Sequence, residues 1–285
     1  MTGGDRETTA LAMRSPHTMP IAIETRFDFT LDNPTDLILQ FEAAAIPEQE
    51  ILSSATTLTC GDACARVPAH EGIGERVLVN AEGRFEVHHS ALVGVKRLTP
   101  DLAGLAALAP HDLPGDPLEY LLDSTYCPAD RLQSFAEDEF GQTQGGDRVL
   151  AIHDWIAKHF TYEPGSSTST TTALDSFVER RGICRDYAHV LITLARASTI
   201  PARYVSCFAP GVTPPDFHAV AEVFLADPST PGGGAWYIVD ATGMAEAHET
   251  VKIGVGRDAA DVSFLTTFGP SKFGNKIVSA VRQPG

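Results

Sequence analysis

No stretch of the 285-residue chain approaches the roughly 20 consecutive apolar residues that a membrane-crossing helix needs, so no membrane partner is expected. Basic runs are missing too. With 21 Lys and Arg against 37 Asp and Glu, a formal net charge of -16, nothing is placed to neutralise a phosphate backbone, which excludes nucleic acid as a partner. The first twenty residues, "MTGGDRETTALAMRSPHTMP", hold only Ala10 to Met13 as an apolar patch before Arg14. That falls short of the roughly 7–15 residues of a secretory signal core, so a cytoplasmic protein with a loosely held tail over 1–20 is expected.

Cysteine is scarce and odd in number: Cys60, Cys64, Cys127, Cys184 and Cys207. Five thiols spread over so long a chain do not make a disulfide framework. Cys60 and Cys64 in "CGDAC" have no second Cys or His pair to complete a zinc site, and no closely alternating acidic residues form a calcium loop. Neither a metal nor a cofactor is expected.

With 43% hydrophobic and 20% charged residues the chain can bury a sizeable core, and its length suits two domains. From Ile21 to Leu31 apolar and polar residues alternate with the period of a half-buried strand. After a turn at "DNPTD" the pattern resumes at Leu37, Leu39 and Phe41, and further strand-like runs lie at 77–79, 85–87 and 91–95, the first two separated by "NAEG". This predicts an N-terminal antiparallel β-sandwich over 21–110, closed by the Pro-, Gly- and Ala-rich stretch "LTPDLAGLAALAPHDLPGDP". Beyond it the period becomes helical over 147–160. A second helix is announced by Thr172 as cap with Asp175 three residues on and is stopped by Gly182; a third runs from Cys184 to about Ser198. Strands follow at 202–208, 218–225 and 235–241, so residues 111–285 read as an α+β domain.

Cys184 opens the third helix, on the same face as Ala188, Leu191, Ile192 and Ala195. Free N–H groups at a helix start stabilise a thiolate, and Arg180, Arg181 and Arg185 add positive field. A small buried cysteine would show the same helical spacing. The second half supplies partners: His218 opens the strand "HAVAEVFL" and Asp240 closes "AWYIVD", with a turn-rich loop between them. A hairpin centred on residue 229 makes the two directly opposite and on one face, as a carboxylate orienting an imidazole toward a thiol requires. His189 lies five residues along the helix from Cys184, about 140° around it, and faces the wrong way.

"GICRDYAHVLITLARASTIPARYV", "DFHAVAEVFL" and "WYIVDAT" together resemble the core of the transglutaminase-like superfamily of bacteria, whose members share a papain-type α+β fold. The resemblance makes Cys184 the nucleophile, His218 the base and Asp240 the orienter. It extends through "STYC", "YEPGSS" and "GRDAADVSF", which implies cleft or oxyanion roles for Tyr126, Tyr162, Arg257 and Asp258. Val220 stands where many relatives carry tryptophan. Such a site forms a thioester from a peptide or carboxamide bond. Hydrolysis needs only water, whereas transfer needs an amine subsite that no sequence feature builds, so a cysteine peptidase or amidase acting on a peptide or protein is expected. Protein-glutamine cross-linking is the enzymatic alternative, and a non-catalytic protein-binding module the alternative of another class.

Overall fold

The computed structural model of the chain describes residues 19–61, 63–97, 99–227, 229 and 233–284. Most of the tail expected over 1–20 lies outside them. Four strands open the fold: β1 (Ile21–Leu39), β2 (Gln49–Leu58), β3 (Ala65–Pro68) and β4 (Glu75–Val95). The long pair β1 and β4 is antiparallel along its whole length. The "DNPTD" stretch expected as a turn is not one, and "NAEG", expected to separate two strands, lies inside a single strand. Register slips between Leu31 and Thr35, where "DNPTD" lies, and Leu31 pairs with Gly83 of "NAEG", whose φ of 77° suits only glycine without strain. Proline and glycine here mark a bulge in a continuing strand, and a bulge bends the sheet. Phe27, Phe29 and Leu31 before the bend share one core with Leu37, Leu39, Val77 and Val79 beyond it, so the sheet closes on itself in the manner of a sandwich.

The helices are α1 (Gln133–Phe140), α2 (Gly145–His159), α3 (Ala173–Glu179) and α4 (Cys184–Ala197), with a two-residue parallel pair, β5 (Thr161–Tyr162) and β6 (Arg181–Gly182), leading into α4. Thr172 and Asp175 cap α3 reciprocally as expected, the Thr172 N–H donating to Asp175 at 2.8 Å. Its end differs: Arg180, at φ 58°, takes the left-handed position, held with its guanidinium over Trp155 and Phe177. Gly182 serves closeness instead, since a Cβ there would come within 2.5 Å of the Asp186 Cβ.

Strands β7 (Ala202–Phe208), β8 (His218–Ala226), β9 (Gly234–Val239) and β10 (Val251–Gly256) form a second antiparallel sheet in the order β10-β7-β8-β9. Ala219, Ala221, Val223 and Leu225 of β8 share one core with Ala188, Leu191, Ile192 and Ala195 of α4. The chain then returns to the first sheet, against the expectation that 111–285 form a separate unit. β11 (Leu265–Thr267) and β12 (Ser271–Arg282) both pair with β1. The pairing was not readable because the exposed apolar residues of β12, Phe273, Ile277 and Val281, recur every four residues, a spacing that a helix and a strand share. Ile21, Ile23 and Val93 of the first sheet pack with Phe208, Val251 and Ile253 of the second, which binds the two sheets together.

Candidate active site

The link from β6 to α4 delivers Cys184. Glu163 N–H donates to the Gly182 carbonyl at 2.9 Å, and Asp186 Oδ2 accepts the Ile183 N–H at 2.8 Å, so the backbone just before the thiol is held from both sides. Cys184 is half-buried and lines a cleft of about 650 Å³. Cys127 and Cys207 are fully buried, and burial pushes the first thiol up to about 12 and the second well above its ordinary value. Of the three arginines expected to flank the thiol, only Arg185 reaches the cleft, with Nη2 3.1 Å from Asp186 Oδ1. Arg180 lies on its aromatic stack, and Arg181 pairs with Glu179 at 3.0 Å and Glu163 at 3.3 Å.

His218, the first residue of β8, lines the same cleft. Its Nε2 lies 2.9 Å from Asp240 Oδ2, which leaves Nδ1, buried and without another partner among the described residues, for the Cys184 thiol. Asp240 sits just past β9 in a tight turn. There its Oδ1 accepts Thr242 N–H and O–H at 2.9 and 2.8 Å, and its Oδ2 accepts Met244 and Ala245 N–H at 3.1 and 2.7 Å. Burial favours the neutral acid, but the His218 bond and charge and the Thr242 donors outweigh it and hold the carboxyl below its usual range. Burial likewise disfavours a charged imidazole, yet hydrogen bonding and charge from Asp240 and Cys184 raise His218 to about 9.

The hairpin register differs from the expected one by a single step. Ala221 pairs with Val239 and Ala226 with Gly234, centring the hairpin on residue 230. His218 and Asp240 are therefore diagonal rather than directly opposite, and a shift of two positions keeps them on the same face.

Tyr126 and Tyr162 both line the cleft. The Tyr126 hydroxyl donates to the Ser169 carbonyl at 2.8 Å, so its proton is engaged. Tyr162 is next to the thiol. Burial, and then the Cys184 charge, push its hydroxyl up to about 12. Arg257 and Asp258 are not cleft residues. Arg257 turns away to Asp261 at 3.0 Å, and Asp258 is buried, accepting Tyr126 N–H and Ala260 N–H at 2.9 Å each. Their part is to hold the loop whose Ala259 and Ala260 line the cleft. Val220 is buried among Val205, Cys207 and Ile238 and is not among the residues that line the cleft. His189 is buried between the rings of Tyr126 and Tyr204, at 5.3 and 5.2 Å, away from Cys184.

Two features escaped the sequence. His153 of α2 touches the Asp240 carbonyl with Nε2 at 3.2 Å, and β12 sends Lys276 into the cleft, where it binds Asp216 at 2.6 Å. A helical pattern names no partner for a histidine, and an unread strand places no side chain. Among the described residues, ligand atoms of His70, Glu71 and Glu119 lie within 4.8 Å of one another, but Glu71 is already bound by Tyr120 and Arg203.

Thiol, imidazole and carboxylate thus meet at one end of a helix and one end of a sheet. Residues 133–241 match the model of the transglutaminase-like superfamily. The structure superposes on that of a "Putative Cysteine Protease" from Cytophaga hutchinsonii with a TM-score of 0.84 and 33% identity, over 94% of this chain and 92% of that one. The chain belongs to the transglutaminase-like superfamily. Similar sequences include ML0607 of Mycobacterium leprae, 33% identical over 122 residues (41% of this chain, 42% of that protein). Rv2569c of Mycobacterium tuberculosis is 31% identical over 176 residues (57% of this chain, 55% of that protein). The chain spans about half the length of these curated relatives.

Proposed function

We propose that the protein is a thiol hydrolase, a cysteine peptidase or amidase, in which Cys184 attacks a peptide or carboxamide carbonyl. The observation that carries this reading is the His218–Asp240 bond of 2.9 Å with the second imidazole nitrogen left for a half-buried thiol in a cleft. His218, raised to about 9, holds a proton at neutral pH when Cys184 is the thiolate. The thiolate adds to the carbonyl carbon, and His218 gives its proton to the departing nitrogen as the thioester forms. Water, deprotonated by the same imidazole, then adds to the thioester and releases the acid and the thiolate. Donors for the oxyanion are the Cys184 backbone N–H at the start of α4 and the Tyr162 hydroxyl beside it. Tyr126 and Asp258 serve by shaping the cleft. The kinship with a protein described as a cysteine protease supports peptide bonds as the target.

The test is a peptide library digested by wild-type protein and by Cys184→Ala, read by mass spectrometry. Cleavage or deamidation by the wild type alone is expected. Equal product from both proteins, or none from either, rules the reading out.

A further inference from the structure

One wall of the cleft comes from the chain's return to the first sheet. Phe264, just before β11, stacks on Phe217 at 4.8 Å between ring centroids and 20° between planes, and Phe217 immediately precedes His218. Both rings rest on Phe27 of β1, at 5.4 Å for Phe264 and 6.3 Å for Phe217, so the first sheet fixes their position. With Val212 and Val262 they line the cleft while themselves only partly buried. Lys276 of β12 binds Asp216 Oδ1 at 2.6 Å and Oδ2 at 2.7 Å, and its ammonium lies 5.7 Å from the Phe264 ring centre. The wall therefore offers partly exposed aromatic carbon, with Ser263 and Thr266 beside it, bounded by an ion pair whose charges are spent on each other.

We propose that this wall is the specificity slot of the site, selecting peptides that present a large apolar side chain beside the carbonyl offered to Cys184. An apolar group laid on the rings sheds water from both surfaces, whereas an acidic group there would lose its hydration and find Lys276 already paired. The slot joins the two sheets in function: Phe217 comes with the His218 strand, Phe264 and Lys276 with the strands that pair with β1. Its catalytic meaning rests on the thiol-hydrolase reading, but binding to it does not require turnover.

The experiment uses the full chain carrying Cys184→Ala and acetylated pentapeptide amides with a central glutamine. The residue on its amino-terminal side is varied among Phe, Leu, Ala and Asp, and affinity is measured by calorimetry. Phe and Leu peptides are expected to bind about tenfold or more tightly than the Ala peptide, the discrimination an apolar pocket supplies, with Asp no better than Ala. Phe264→Leu keeps an apolar side chain against Phe27, and should weaken the Phe peptide severalfold while leaving the Ala peptide within about twofold. Equal affinities across the series, no binding below about 1 mM by any member, or uniform weakening by Phe264→Leu overturns the slot. If the peptides bind in the expected order but wild-type protein converts none of them, the hydrolase reading fails and the slot stands.

Discussion

Nε2 of His218 lies 2.9 Å from Oδ2 of Asp240 across the open ends of two neighbouring strands, and four further donors, all from the turn at 242–245, converge on the same carboxylate. The turn fixes Asp240 independently of the imidazole. Asp240 in turn fixes which nitrogen of His218 is free for chemistry.

Asp240→Asn should therefore fold but lose activity by a factor on the order of 10³–10⁴, because an amide can present N–H where the imidazole needs an acceptor. Stability falls by about 1–3 kcal/mol as the buried N–H groups of the turn lose charge-assisted partners. Turnover with a cleaved peptide, together with urea unfolding, measures both. Retention of a tenth or more of wild-type turnover would remove Asp240 from the mechanism.

The same pair makes stability depend on pH. His218 binds its proton more tightly folded, at about 9, than unfolded, at about 6.5. Its contribution is complete below about pH 6.5 and is lost as pH rises through about 9. Asp240 lies below its ordinary value, so its contribution is present above about pH 4 and is lost as pH falls through the lowered value. The stability gap between wild type and His218→Gln should be widest between about pH 4 and 6.5, at most about 3 kcal/mol from the histidine shift, and should narrow toward pH 9. Urea titrations at one-unit pH intervals check this; a gap that is flat from pH 5 to 10 retires the ion pair.

Thiol reactivity follows burial and position. Cys127 and Cys207 are fully enclosed and pushed upward, whereas Cys184 lies in the cleft beside a proton-holding imidazole. Limiting iodoacetamide at pH 6, followed by peptide mapping, should label Cys184 before Cys60 or Cys64 and leave Cys127 and Cys207 unmodified in folded protein. If Cys60 or Cys64 reacts first, the activation of Cys184 is disproved.

How much of this was legible differs between residues. Cys184 announces itself because a glycine link and a helix start are local features, and His218 and Asp240 because a turn-rich loop between two short strands leaves little freedom of register. The register was still misplaced by one step. The misreading was harmless for these two side chains only because a strand repeats every two residues. The "DNPTD" and "NAEG" stretches misled, since Pro and Gly serve a bulge as readily as a turn, and the difference lies in a partner strand about 50 residues away along the chain. Lys276 was illegible because β12 owes its place to β1, some 250 residues earlier, and its apolar spacing fits helix and strand alike; Phe264 ends the "GRDAADVSF" stretch, but the ring it rests on, Phe27, belongs to β1.

Glu222, four residues beyond His218 on β8, is fully buried between Lys252 Nζ at 2.5 Å and Arg203 Nη2 at 2.7 Å. Burial alone would neutralise it, but the two cations hold it down to about 2. Glu48 at 2.7 Å from Lys252, and Glu71 against Arg203, extend the network into loops of the first sheet. Glu222→Gln leaves two buried cations facing a neutral group and should cost about 3–5 kcal/mol. Urea unfolding gives the loss; one under about 1 kcal/mol shows that water or the flanking glutamates replace the missing charge.

The choice of acyl acceptor is the most consequential expectation, and it favours water. Water at about 55 M competes with an amine at about 10 mM, a ratio near 5,000, so amine transfer must gain about 5 kcal/mol in relative barrier merely to draw level. Gains of that size come from an oriented, desolvated second subsite. The carboxylate at the cleft rim best placed to hold an ammonium, Asp216, is already bound through both oxygens by Lys276. A substrate found in the library digest, incubated with about 10 mM of a primary amine, should therefore give mainly the hydrolysed product by mass spectrometry, with less than about one part in ten aminated. Lys276→Ala frees Asp216 and should raise the aminated share if the ion pair is what denies the amine a foothold. Predominant amination by the wild type would replace the hydrolase reading with that of an acyltransferase, leaving Cys184, His218 and Asp240 in the same chemical steps.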